Sequence, residues 1–184
     1  MGRALILAAL LAVAACDRPA QPAADAPTPA AADPAPAPVA AAIIVPDGKF
    51  DAISNTAMSV TGDLTAQNGA FTFAQGQTYR LEGAALAVGA DAYATTKASL
   101  ASLINVADTA ELKVLRVTSE DPGKARNGGF CGKDKTTFLV THDGVDGSGG
   151  PAFFIMAFKG AAAPSETSPE TDLCGTFMYA PHDG

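Results

Sequence analysis

The chain has 184 residues, with 12 basic against 19 acidic side chains, a formal charge of −7 and only two histidines. Such an acidic balance argues against nucleic acid as a partner and against electrostatic adhesion to anionic lipid heads. The length allows one folded domain of about 140 residues once non-globular stretches are set aside.

The N-terminus carries the first pattern. Met1-Gly2-Arg3 supplies one positive charge, Ala4 to Ala12 is an unbroken apolar run, and Val13-Ala14-Ala15 leads into Cys16. A charged start, an apolar stretch and small residues before a cut make a secretory signal peptide over residues 1–15. The twelve apolar residues from Ala4 to Ala15 fall short of the roughly 20 needed to cross about 30 Å of hydrocarbon. With Cys at the first mature position, the segment resembles the lipobox of bacterial lipoproteins, with Val13 where Leu is usual. The resemblance implies that Cys16 is lipidated, carrying palmitate-like acyl chains. The lipid bilayer is then the first partner, and the mature chain faces the periplasm from a membrane of the cell envelope. Asp17 resembles the inner-membrane retention signal of enteric bacteria, which favours the inner membrane without settling the choice. An ordinary secretory signal cut near Ala15 fits the same apolar run and leaves Cys16 a spare thiol. Loss of the leader removes Arg3, leaving 11 basic against 19 acidic side chains, a formal −8.

Residues 16–42 read as the lipidated cysteine followed by a disordered tether. Ala dominates, and seven prolines punctuate it from Pro19 to Pro38. Proline lacks an amide hydrogen and disfavours helix in the residue before it, so alanine here does not build the helix it otherwise prefers. No hydrophobic pattern repays the entropy of ordering. Semi-extended polyproline II, at about 3.1 Å per residue, gives the residues after Cys16 a reach of up to roughly 80 Å. A domain of this size has a gyration radius near 14 Å. The tether is thus a spacer, long enough to hold the domain well clear of a bilayer.

Residues 43–184 read as a single α+β domain, a curved, mainly antiparallel sheet of six or seven strands with one helix. Ala57 to Leu64 alternates apolar and polar residues, the period-two mark of a half-buried strand. Asn68-Gly69 then predicts a tight hairpin turn into Ala70–Phe73. Gly76 punctuates before Thr78–Glu82, which extends the hairpin to a meander, with Ala84–Val88 as a continuation past Gly83. Helical spacing appears over Ala94–Val106, with Thr95 or Thr96 as cap and Asn105 as end. Strands resume at Leu112–Thr118 and Thr136–Thr141. Ala152–Phe158 is apolar on both faces, the mark of a strand covered on each side, and Gly175–Ala180 closes the series.

Two cysteines remain after lipidation, Cys131 and Cys174. In an oxidising envelope compartment, such a pair in one domain is expected to form a disulfide. Two other uses stay open. With His142 and His182 they make a Cys₂His₂ zinc set, although the ligands lack the close spacing of structural zinc; His182 also lies near a terminus expected to fray. Redox-active thiols would favour a Cys-x-x-Cys pair, which is absent.

Other motifs carry less. Asp146-Gly147-Ser148-Gly149-Gly150-Pro151 is one transposition from the nucleophile segment of trypsin-like serine proteases. The order differs, and His142 is placed in the same loop rather than across a cleft, as a triad requires. Asp143 and Asp146 lack the alternating acids of a calcium loop. The densest positive stretch is Lys124, Arg126, Lys133 and Lys135, with Phe130 between them and Cys131 as a staple. Its plain reading is a solvated hairpin tip. Its functional reading is a docking loop for an acidic envelope protein or an anionic glycan.

The expected function is a membrane-anchored envelope lipoprotein with a small disulfide-braced binding or structural domain, no catalytic activity and no cofactor. The alternative is an envelope enzyme using a site near His142 and Asp143. The Gly-Phe-Cys-Gly and Leu-Cys-Gly-Thr segments resemble small proteobacterial lipoproteins without assigned function, a resemblance that implies no activity. Lysozyme inhibition, which some small β-rich lipoproteins perform, has no motif here.

Overall fold

The computed structural model describes residues 45–182. The expected signal peptide, Cys16, Asp17 and the expected tether lie outside the described residues. Eight strands form a closed antiparallel barrel: β1 (Gly48–Ala52), β2 (Leu64–Gln67), β3 (Ala70–Phe73), β4 (Thr78–Val88), β7 (Glu111–Asp121), β8 (Phe138–Val145), β9 (Pro151–Phe158) and β10 (Leu173–Pro181). Each strand pairs with the next, and β1 pairs with β10 to close the ring. A short hairpin, β5 (Ala92–Tyr93) with β6 (Ala98–Ser99), and the helix α2 (Leu100–Ile104) are inserted between β4 and β7. A further helix, α1 (Asn55–Val60), links β1 to β2.

The expected α+β sheet of six or seven strands with one helix is therefore replaced by an eight-stranded, mostly β barrel with two short helices. Part of the difference is local. Ala57–Val60 is helix rather than strand, because Ser54 caps the turn by accepting the Ala57 amide at 3.2 Å. The two buried residues, Ala57 and Thr61, are four apart, the spacing of one helix face. Gly62 then turns the chain at φ +67°, and β2 starts only at Leu64. The longer helix expected from Ala94 shrinks to Leu100–Ile104. Ala94 and Lys97 take left-handed φ values of 61° and 54° in the β5–β6 hairpin, so Ser99, not Thr95 or Thr96, is the cap. Asn105 ends α2 in the left-handed conformation at φ 56°. The Asn68-Gly69 turn joins β2 to β3, both residues having the positive φ that a type I′ turn demands.

Strand alternation builds two cores. Inward-facing Phe50, Phe71, Phe73, Tyr79, Phe153, Phe177 and Tyr179 fill the barrel with rings. Phe50 meets Phe153 at 5.1 Å and Phe71 meets Phe153 edge-on at 6.0 Å. An eight-stranded barrel is just wide enough for side chains to fill it. Outward-facing Val114, Val140, Phe154 and Met156 are covered by Tyr93, Leu100 and Ile104 of the insertion. That second layer is why β9 is buried from Ala152 to Phe158 on both faces.

Phe71, fully buried, tests the filled interior. Phe71→Ala is expected to lower stability by about 3–5 kcal/mol, read as a reduced urea midpoint at unchanged slope. A loss below about 1 kcal/mol would be too small for a closely packed ring at that site.

Candidate functional site

The basic loop connects β7 to β8 at one end of the barrel. Its course is set by turns and anchors. Asp121 accepts the Gly123 amide at 2.8 Å, and Gly128 donates to the Ala125 carbonyl. Gly129 and Gly132 then exchange two backbone hydrogen bonds of 3.0 Å. Asn127 donates its side-chain amide to Ser59 of α1, and Gln77 donates to both Val60 and Gly128. Glu120 holds the other limb, accepting the Thr136 amide and hydroxyl at 2.8 Å each.

Cys131 is joined to Cys174 at the start of β10 across a sequence separation of 43, with the Cα atoms 5.0 Å apart. The disulfide reading thus holds, and neither sulfur is free as a zinc ligand or thiol. Phe130, expected on the docking surface, is instead only 4% exposed. Its ring plugs the barrel between Phe73, Tyr79 and Phe177, at 5.1, 4.9 and 4.7 Å. An aromatic ring next to a cystine has more apolar area to bury than to display, and the open barrel end receives it. The Phe130 amide donates to the Tyr79 hydroxyl at 2.9 Å. Burial pushes that phenol far above its ordinary range, so it stays neutral.

With Phe130 turned inward, the outer face of the loop is cationic. Lys124, Arg126, Lys133 and Lys135 are all exposed. None takes part in an ion pair among the described residues, where the pairs are Lys113–Asp143, Lys159–Asp134 and His182–Asp51. The nearby acids are engaged elsewhere: Glu120 by Thr136, Asp121 by the Gly123 amide, and Asp134, between Lys133 and Lys135, by Lys159 at 2.7 Å.

The other candidate residues are separated. His142 and Asp143 are not in a loop but on β8, so their side chains leave opposite faces of the strand. Asp143 shares the inner face and pairs with Lys113 at 2.9 Å, beside the rim. His142 points outward, its Nδ1 2.9 Å from the Glu111 carbonyl and its ring 6.0 Å from Phe154. Asp146 caps the β8–β9 turn, accepting from the Ser148 amide and hydroxyl and from the Gly150 amide at 2.7–3.0 Å. The Ser148 hydroxyl, then those amides, hold the Asp146 carboxyl below its usual range. Ser148 therefore donates to a turn-capping acid rather than to His142. His182, expected to fray, continues the sheet instead: its amide donates to Lys49, and Nδ1 lies 2.8 Å from the Asp51 carboxylate.

Sequence reasoning did not find Gln77, Tyr79, Glu120 or Thr136, the groups that position the loop. Gln77 and Thr136 are buried polar residues in stretches with no motif, and their partners are 16–51 residues away. No family model, curated protein or solved structure matches this chain.

On the chain-entropy account, a cross-link of this separation stabilises by about 4 kcal/mol. Cys131→Ser with Cys174→Ser is expected to lose roughly that amount, measured as the difference in denaturation midpoint against the oxidised protein. Equal midpoints would mean that the entropy removed from the unfolded chain is offset by an unfavourable contribution in the folded state.

Proposed function

We propose that the protein is a lipid-anchored envelope module that presents a stapled cationic loop to an anionic glycan. The observation that carries the reading is the inward turn of Phe130 combined with four exposed cations that form no ion pair among the described residues. Tight protein–protein contacts rely on buried aromatic or arginine anchors seated in pockets. Here the one aromatic of the loop lies inside the barrel, so the surface offers Arg126 and three lysines but no apolar anchor. A repeating carboxylated or sulfated polymer matches such a surface, because each site adds a modest screened attraction and many act together. The net negative charge of the rest of the protein keeps anionic surfaces away from its other faces.

Rigidity supports the same reading. The disulfide, the Gly129–Gly132 bridge and the Glu120–Thr136 bonds order the loop before any ligand arrives. Binding then costs less ordering entropy than it would for a free loop. The lipobox-like leader and the Ala/Pro-rich segment after it supply the placement: an acyl anchor at Cys16 and a spacer that lets the loop search beyond the headgroups.

Two measurements test this. Replacing Lys124, Arg126, Lys133 and Lys135 together by alanine is expected to weaken binding to a uronic-acid polysaccharide at least tenfold and to flatten its salt dependence. It should leave the unfolding midpoint nearly unchanged, since exposed substitutions away from special features typically shift stability by about 0.5 kcal/mol or less. Unaltered binding would remove the loop from the interaction. For the anchor, Cys16→Ser is expected to move the mature protein from the membrane pellet to the soluble envelope fraction, and retention in the pellet would contradict acylation as the tie.

A further inference from the structure

β10 gives the barrel core only one of its faces. Phe177 and Tyr179 point inward, so Thr176 and Met178, which alternate with them, stand on the outer face and are only half-buried. Two short helices approach that face without closing over it. α2 covers the outer side of β9 with Leu100 and Ile104, then stops at Asn105 in a left-handed turn. The bend before α1 is tied to β10 by the Ile53 and Ser54 amides, which both donate to the Met178 carbonyl, at 3.0 and 3.2 Å. A groove of about 260 Å³ is left, walled by Ser54, Leu103, Ile104, Phe154, Thr176 and Met178. No charged side chain lines it. Ile53, next to Ser54, and Met58, one helical turn on, are 36% and 51% exposed, so apolar surface continues beside the groove.

Ser54 fixes what the groove can recognise. A serine hydroxyl has two lone pairs and one hydrogen. The Ala57 amide donates to Ser54 Oγ at 3.2 Å and the Met178 amide at 3.1 Å, so both lone pairs are taken. The hydroxyl is left able only to donate, and no described residue accepts its hydrogen. A ligand oxygen in the groove supplies the missing acceptor.

We propose that this groove binds a small uncharged carbonyl compound with a short alkyl chain, an ester or ketone, whose oxygen accepts from Ser54 Oγ. The ligand is uncharged because an ion without a partner loses more hydration than an apolar lining returns. It is small because the volume lies just under the roughly 300–1,000 Å³ of sites for drug-sized ligands. The alkyl part rests on Leu103, Ile104, Phe154 and Met178, where the unbranched methionine adjusts to its shape. The site shares no residue with the cationic loop, so neither depends on the other.

Titration of the mature full-length chain, made soluble by Cys16→Ser, tests the site by NMR of isotopically labelled methionine methyl groups. Methyl hexanoate is expected to move the Met178 signal saturably and to leave the amides of β3 and β4, across the ring, unmoved. Hexylammonium, of similar length but without an acceptor, is expected to leave the Met178 signal in place. Ser54→Ala removes the donor and is expected to weaken methyl hexanoate binding about fivefold, the effect of one hydrogen bond. Ser54→Thr keeps both hydroxyl and cap and is expected to bind as the native chain does. Thr176→Leu fills the groove without touching the cap and is expected to abolish the shift, which gives a readout even if Ser54→Ala fails to fold. The proposal is overturned by a native chain with no saturable shift, by an equal response to hexylammonium, or by undiminished binding in Ser54→Ala or Thr176→Leu. A Ser54→Thr chain as weak as Ser54→Ala overturns it as well, since the hydroxyl would then not be what the ligand meets.

Discussion

The pairing of β1 with β10 is the constraint on which the rest depends. Phe50, Asp51 and Ala52 of the first strand lie opposite Pro181, Ala180 and Tyr179 of the last. These contacts close the ring, and the ring decides what every neighbouring side chain faces. Phe50 reaches the interior because both flanks of β1 are paired, with β10 on one side and β2 on the other. The same closure carries His182 to Asp51 and turns a chain end into part of the sheet. Joining the ends of so long a segment costs loop-closure entropy that grows only slowly with length. The buried rings offset it, since the apolar area of each aromatic is large.

A ring-filled interior has a functional consequence. With Phe71, Phe153, Phe177, Tyr79 and Tyr179 almost fully buried, the barrel has little room for a guest along its axis, and recognition is left to rims, loops and edges. One end is sealed by Phe130, and this act of packing defines the outer surface of the same loop. The ring inside and the lysines outside are two faces of one short segment, fixed by a cystine between them. The opposite end keeps an open mouth, where β4 continues past its pairing with β3 alongside β7, which is itself paired with β8. The two ends thus differ in chemistry, one cationic and stapled, the other an open mouth lined by Val45, Asp47, Asn68, Leu81 and Leu115.

Much of the local structure was legible. Asn68-Gly69 places a type I′ turn, since few other pairs accept two positive φ values. The unbroken apolar run of β9 announces a strand covered on both sides, although not that a barrel core lies on one face and α2 on the other. β1 was illegible because Gly48-Lys49-Phe50-Asp51-Ala52 holds one large apolar residue and pairs only with distant strands. α1 was misread because six residues of mixed polarity fit either period, and only the Ser54 cap and the barrel contact of Ala57 choose helix. At the loop, charge and cystine were visible in the residues themselves, while the direction of Phe130 was not.

What the amino-acid sequence determined by itself is whatever acts over a few residues: the hairpin turn, the helix stop at Asn105, the strand periods and the presence of two cysteines suited to pair. What only the tertiary structure decided is the closure of the sheet, the inward swing of Phe130, the separation of His142 from Asp143 and the length of β4 that pairs with β7 alone among the described residues. The physical reason is range. Dihedral preferences and side-chain caps are settled between near neighbours, whereas burial and ladder pairing depend on which remote strand arrives alongside.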